Sequence, residues 1–110
     1  MDYFHRKDGQ WWCEEVRVAD LAARHGTPLY VYSQRTFVEH FRKLQRAFAD
    51  VPHRICYSVK ANGNLGILRV LAGMGSGADV VSGGELLKAR RAGIPADRIV
   101  YSGVGKTRDE

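Results

Sequence analysis

The sequence predicts an α/β fold of parallel βα units, the N-terminal part of a TIM-type (β/α)8 barrel, preceded by a β-hairpin segment. Three observations support this. Short runs of strand character at residues 29–32, 55–59, 78–81 and 98–101 alternate with three stretches of helical periodicity. Each helical stretch opens on a capping side chain and ends at Gly or Pro. Strand and helix in strict alternation give a parallel sheet. A closed barrel needs roughly 200 residues or more, so a chain of 110 supplies about half of one and reads as the N-terminal part of a longer protein.

The first 27 residues stand apart from this pattern. Asp8-Gly9 is a turn signal inside a hairpin over residues 3–16, whose second strand runs from Trp11 to Val16. Two adjacent tryptophans, Trp11 and Trp12, need more cover than so short a hairpin offers. Residues 18–25 suggest a short helix, with Gly26 in the stop position. Thr27-Pro28 then breaks the chain and divides a segment of residues 1–27 from the βα region of residues 28–110.

Beyond the break, Leu29-Tyr30-Val31-Tyr32 is a compact strand, and Ser33 caps a helix reaching about Ala49. Phe37, Val38, Phe41, Leu44 and Phe48 form its apolar stripe, at a spacing that marks core. Val51-Pro52 ends it. Asn64 caps the next helix, whose apolar face is Leu65, Leu68, Val70 and Leu71. A glycine-rich loop at residues 73–77 leads to the third strand. Ser82 opens a helix to about Ala92, stopped by Gly93 and Pro95. The fourth strand follows, then a loop at residues 103–106. Thr107-Arg108-Asp109-Glu110 has the form of a capping box, the signature of a helix start.

Composition excludes several classes. Hydrophobic residues at 45% and charged residues at 26% exclude disorder. Net charge is +5, but the basic residues are spread over the solvent sides of predicted helices, so no nucleic-acid surface is expected. Two cysteines, Cys13 and Cys56, without CxxC or metal spacing, exclude a disulfide scaffold and fit a reducing cytoplasm. Four scattered histidines form no metal-ligand pattern. The N-terminus lacks the apolar core of a secretory signal, and the most apolar stretch, residues 65–74, is too short to span a membrane.

Chemistry concentrates around Lys60. Alternation along residues 55–60 sets Cys56, Ser58 and Lys60 on one face and Ile55, Tyr57 and Val59 on the other. A lysine leaving the carboxyl end of a parallel strand stands where βα loops gather and ligands bind. Asp79 lies within a strand between Ala78 and Val80, where an acid needs a partner or a polar cavity. Glu85 falls in the first turn of a helix opened by Ser82-Gly83-Gly84; the helix dipole favours an acid there with or without a ligand. Two phosphate-binding patterns fail on context. Gly73-Met74-Gly75-Ser76-Gly77-Ala78 spells a dinucleotide fingerprint, but it lies between a helix and a strand, the reverse of the required order. Gly105-Lys106-Thr107 has Val100 where a P-loop requires its first glycine.

A likeness that covers essentially the whole chain runs through four stretches in order. They are Gly26-Thr27-Pro28-Leu29-Tyr30-Val31-Tyr32, Tyr57-Ser58-Val59-Lys60-Ala61-Asn62, Gly77-Ala78-Asp79-Val80-Val81-Ser82-Gly83-Gly84-Glu85-Leu86 and Ser102-Gly103-Val104-Gly105-Lys106. Together they resemble the fold-type III decarboxylases that use pyridoxal phosphate, most closely the diaminopimelate decarboxylase branch. The resemblance implies that Lys60 holds pyridoxal 5'-phosphate as an internal aldimine, with Asp79 and Glu85 as acids near that lysine and the cofactor. It implies a (β/α)8 barrel beginning at Leu29, and a segment of residues 1–27 that packs with a C-terminal β domain and so covers the tryptophans. The implied reaction converts meso-diaminopimelate to L-lysine and carbon dioxide in a cytoplasmic homodimer. The family's phosphate loop, ring-stacking histidine, acid facing the pyridine nitrogen, and partner-subunit cysteine all belong to later parts of the chain. The 110 residues alone are therefore expected to show no turnover.

Ornithine and arginine decarboxylases share the motifs, and Gly103-Val104-Gly105-Lys106 favours the diaminopimelate branch over them. Alanine racemase shares the Val-Lys-Ala-Asn core, but its loop usually continues Ala-Tyr-Gly where this chain has Gly63-Asn64-Leu65. A non-enzymatic regulator that binds pyridoxal phosphate is a further alternative. The hairpin at residues 3–16 speaks against it, since such proteins lack the β domain on which a hairpin would pack.

Overall fold

Two three-stranded sheets organise residues 2–110, the part of the chain that the computed structural model describes. The first is antiparallel, with β1 (Phe4–Lys7), β2 (Gln10–Cys13) and β3 (Val16–Arg17) in that order. Asp8 and Gly9 join β1 to β2 with φ of 50° and 74°, the two positive values that a tight hairpin turn requires. The expected second strand over residues 11–16 is in fact two strands. Glu14, at φ 53°, turns the chain after Cys13 and sends it back as β3. Trp12 lies 6.4 Å from the His5 ring, stacked, with Lys7 Nζ 5.9 Å over it, whereas Trp11 is 57% exposed.

Helix α1 (Val18–His25) packs beside β2 and β3 without a buried residue. It ends where expected: Gly26 has φ 80°, and its N–H donates to Ala22 O. The expected strand at residues 29–32 does not form. Accessibility alternates along it, with Leu29 and Val31 half-buried and Tyr30 and Tyr32 exposed, but no ladder joins it to either sheet. β-propensity supplies an extended backbone; a strand also needs a hydrogen-bonded neighbour. Along the free edge of β4 lies instead an apolar groove of about 480 Å³, lined by Phe37, Phe41, Ile55, Tyr57 and Leu71 among others.

Helix α2 (Gln34–Ala47) starts at the predicted cap, where Ser33 Oγ accepts the Thr36 N–H at 3.0 Å. Only part of its aromatic stripe is covered. Phe41 is buried with Ile67 and Leu71, and Phe37 packs against that cluster, while Leu44 and Phe48 stay about half exposed.

The second sheet is parallel, with β4 (Cys56–Ser58), β5 (Gly77–Val80) and β6 (Ile99–Tyr101) in sequence order. Helices α3 (Leu65–Gly73) and α4 (Gly83–Arg91) make the crossovers, capped as expected by Asn64 and Ser82. Three strands are laddered rather than four. Arg98 belongs to a 3-10 turn before β6 and not to the strand. Val59, Leu68, Ala78, Val80, Ala89 and Ile94 form the core between sheet and helices. Gly77 permits the strands to close: a Cβ there would stand 2.4 Å from Arg98 O and 2.7 Å from Cys56 Sγ. The fingerprint-like glycines run from the end of α3 into β5, as the sequence order indicated.

Candidate cofactor site

The site begins where β4 stops. Its ladder with β5 pairs Cys56 with Gly77, Tyr57 with Ala78 and Ser58 with Asp79. The strand was expected to run straight into Lys60, but the backbone leaves it after Ser58 and makes one 3-10 turn, Val59–Ala61. Val59 turns into the core and is 1% exposed, while Lys60 faces solvent just past the strand's carboxyl end. Among the described residues Lys60 makes no hydrogen bond and no ion pair. The loop behind it is fixed: Tyr57 Oη donates to Asn62 O at 3.3 Å, Asn64 N–H to Asn62 Oδ1 at 3.0 Å, and Gly66 N–H to Asn64 Oδ1 at 2.8 Å.

Asp79, on β5, has a hydroxyl on each carboxylate oxygen. Ser102 Oγ donates to Oδ1 at 2.5 Å and Ser58 Oγ to Oδ2 at 2.8 Å. These bonds, Ser102's first and then Ser58's, hold the carboxyl below its ordinary pKa against the opposing effect of desolvation, and the Lys60 charge lowers it further. The partner that an acid in a strand requires is thus a pair of serines, one from each neighbouring strand end. Lys60 is the nearby positive charge.

Glu85 is placed differently. Its Oε2 accepts the Val81 N–H at 2.8 Å, and its own N–H donates to Ser82 Oγ at 3.2 Å. These two bonds, to the N-cap side chain and to the residue before it, close the first turn of α4. The Lys60 charge adds to the lowering of the Asp79 pKa, whereas Glu85 is occupied with the helix start.

Three partners of the site were missed by sequence reasoning. Ser58 was placed on the Lys60 face without being assigned a bond; its register opposite Asp79 follows once β4 and β5 are paired in parallel. Ser102 lies two residues beyond Val100, which is Asp79's register partner on β6, so period-two alternation puts it on Asp79's face. Glu110 was read only as the acid of a capping box with Thr107, and its bond to α4 had no signal. Its Oε1 accepts the Gly83 N–H at 3.0 Å while its Oε2 accepts the Thr107 N–H at 3.0 Å. Those backbone donors, with the Thr107 hydroxyl, bring its pKa down to about 2.

A parallel sheet that carries a solvent-facing lysine past one strand and an ionised aspartate on the next belongs to the α/β proteins that bind ligands at the carboxyl edge of the sheet. The family model of the pyridoxal-dependent decarboxylases, pyridoxal binding domain, matches residues 34–110, and the chain belongs to that family. It is 53% identical over 111 aligned residues to a diaminopimelate decarboxylase of Vibrio cholerae, covering 100% of this chain and 27% of the relative. A crystal structure from Aquifex aeolicus superposes with a TM-score of 0.91 at 50% identity, covering 98% of this chain and 27% of that one. The diaminopimelate decarboxylase of M. jannaschii in complex with L-lysine gives a TM-score of 0.92 at 38% identity, covering 98% and 26%. The chain therefore spans about a quarter of the length of the relatives it matches.

Proposed function

We propose that this chain is the lysine-bearing N-terminal part of a pyridoxal-phosphate-dependent decarboxylase that converts meso-diaminopimelate to L-lysine and carbon dioxide. The observation that carries this reading is the 53% identity to a diaminopimelate decarboxylase over the full extent of the chain.

The residues present fit the cofactor. An aldehyde needs an accessible amine free of competing partners, and Lys60 is exposed and without an ion pair among the described residues. Lys60 would hold the cofactor covalently, and Asp79 supplies a fixed negative charge beside it. When bound, the cofactor's conjugated ring takes up the electron pair left as the substrate carboxylate departs. The exposed Lys60 amine would also be the group that carries a proton at its Nζ. Glu85 is assigned as a second acid near the cofactor, its carboxylate oriented by the Val81 N–H.

In this reading residues 28–110 are the first βα units of a (β/α)8 barrel, and residues 1–27 pack with a C-terminal β domain. Surface left open in the described residues supports that division. Trp11 is 57% and Tyr30 85% exposed, and the Trp12 indole N–H is buried without an acceptor. No helix among the described residues is long and apolar enough to cross a membrane. A cytoplasmic homodimer follows from the resemblance.

The test is turnover by the full-length protein carrying this segment. With meso-diaminopimelate, ornithine and arginine offered in parallel, carbon dioxide and lysine should be released from meso-diaminopimelate with the highest kcat/KM. Preference for ornithine or arginine would transfer the assignment to those branches of the family.

A further inference from the structure

We infer that Ser58 and Ser102 are positioning residues, which clamp the two oxygens of Asp79 so that its charge acts on the Nζ of Lys60. The inference rests on the reading of Lys60 as the cofactor-bearing residue and adds how that amine is controlled.

Four features place the clamp. The two hydroxyls come from different elements: Ser58 ends β4, and Ser102 directly follows β6. Their bonds, 2.8 Å and 2.5 Å, fall on different oxygens of one carboxylate, which blocks rotation of the group about its χ2 axis. Both serines are also anchored along the main chain. Ser58 is in ladder register with Asp79, and Ser102 N–H donates to Val80 O at 3.0 Å. Finally, Lys60 stands in the turn just past β4, two residues beyond Ser58, and its charge adds to the lowering of the Asp79 pKa that the two hydroxyls chiefly cause. A carboxylate fixed at the junction of three strand ends is a preorganised charge, which is worth more to a neighbouring amine than one free to turn into water. Two serine hydroxyls give the Asp79 carboxylate this fixed setting without introducing a cation that would cancel its charge.

Other charged groups surround the same corner. On α4, Glu85 holds the Val81 N–H, and Lys88 Nζ lies 3.2 Å from the position of a Cβ on Gly63. Lys106, whose Nζ is 5.7 Å over the Tyr101 ring, and Glu110, on the Gly83 N–H, flank it on the β6 side. None of these four donates to or accepts from Asp79, so the serines are its direct partners.

The test measures the Lys60 amine itself, without cofactor or turnover. In the full-length protein freed of cofactor, trace acetylation followed by peptide mass spectrometry gives the labelling rate of Lys60 against pH, with Lys43 on the outer part of α2 as internal reference. Asp79→Asn should raise Lys60 labelling near neutral pH by roughly two- to threefold, the scale of one solvent-exposed charge pair. Ser58→Ala and Ser102→Ala should each reproduce part of that rise, Ser102→Thr should not, and neither alanine should add to it in the Asp79→Asn background. The Lys43 rate should stay unchanged throughout. Serine variants that leave Lys60 labelling unaltered, or that raise it equally with and without Asp79, would overturn the inference. Because no cofactor is present, the outcome stands whether or not the decarboxylase reading holds.

Discussion

Glu14 and Ser33, 19 residues apart, are joined side chain to side chain: Ser33 Oγ donates to Glu14 Oε1 at 2.7 Å, and the same oxygen accepts the Arg35 N–H at 2.8 Å. One carboxylate therefore fastens the N-terminal sheet to the first turn of α2. The Glu15–Arg35 ion pair at 2.8 Å and the bond from Tyr3 N–H to Thr36 Oγ1 at 3.2 Å lie beside it. Glu14→Ala removes an acceptor from a serine only 2% exposed, and should loosen the segment from α2 by about 1 kcal/mol. Amide exchange should report this at Arg35 N–H, while the ladder of β4, β5 and β6 keeps its protection.

Acid should act on the same contacts. Glu14, Asp79 and Glu110 all have folded pKa values below their ordinary ones. Glu14 is lowered chiefly by the Arg35 N–H and the Ser33 hydroxyl, and Glu110 to about 2. A depressed carboxyl contributes stability that is fully present above its ordinary value, about 4, and is lost as pH falls through its folded value. Exchange protection at Arg35 and Gly83 should therefore hold down to about pH 4 and decline below it, with that at Gly83 lost as Glu110 protonates towards pH 2. Protection that rises on acidification would contradict this sign.

Gly77 and Gly73 make a contrasting pair. Gly77→Ala drives a Cβ into the Arg98 carbonyl at 2.4 Å, a backbone atom that cannot move without breaking the β5–β6 ladder. The cost should be about 1–3 kcal/mol or more. Gly73→Ala meets nothing within 4 Å at the end of α3 and should be neutral or stabilise by up to about 1 kcal/mol. Thermal unfolding of the two variants in the full-length protein distinguishes them directly.

Glu85 is separable into a structural and a chemical part. Glu85→Gln keeps an oxygen for the Val81 N–H, whereas Glu85→Ala removes it and should cost α4 about 0.5–1 kcal/mol. Amide exchange at Val81 should be unchanged in the first variant and faster in the second. Lost turnover in Glu85→Gln with Val81 still protected would assign the charge itself to the reaction.

Local signals in the sequence were read correctly where the cause was local. The caps at Ser33, Asn64 and Ser82, the Asp8-Gly9 turn and the Gly26 stop depend on a few neighbouring residues, and each sits where its chemistry put it. Thr107 and Glu110 form their reciprocal bonds as a capping box does. Errors fell where pairing decides. Residues 29–32 have strand composition and alternating burial but no ladder, and the strand through Trp11 is cut by Glu14, whose positive φ is stabilised by contacts with the distant α2. At the candidate site, the sequence singled out Lys60 for its place past a strand end and Asp79 as an acid within a strand. The serine clamp was not legible, because it exists only once three strands are set in register.

The central claim is that Lys60 is the residue to which pyridoxal phosphate attaches. The direct measurement is the absorbance spectrum of the full-length protein with the cofactor, before and after borohydride, followed by mass mapping and set beside Lys60→Ala. The account predicts a visible band abolished by reduction, a pyridoxyl mass fixed on the peptide containing Lys60, and neither in the variant. A folded protein with no band, or with the mass on another lysine, would contradict it.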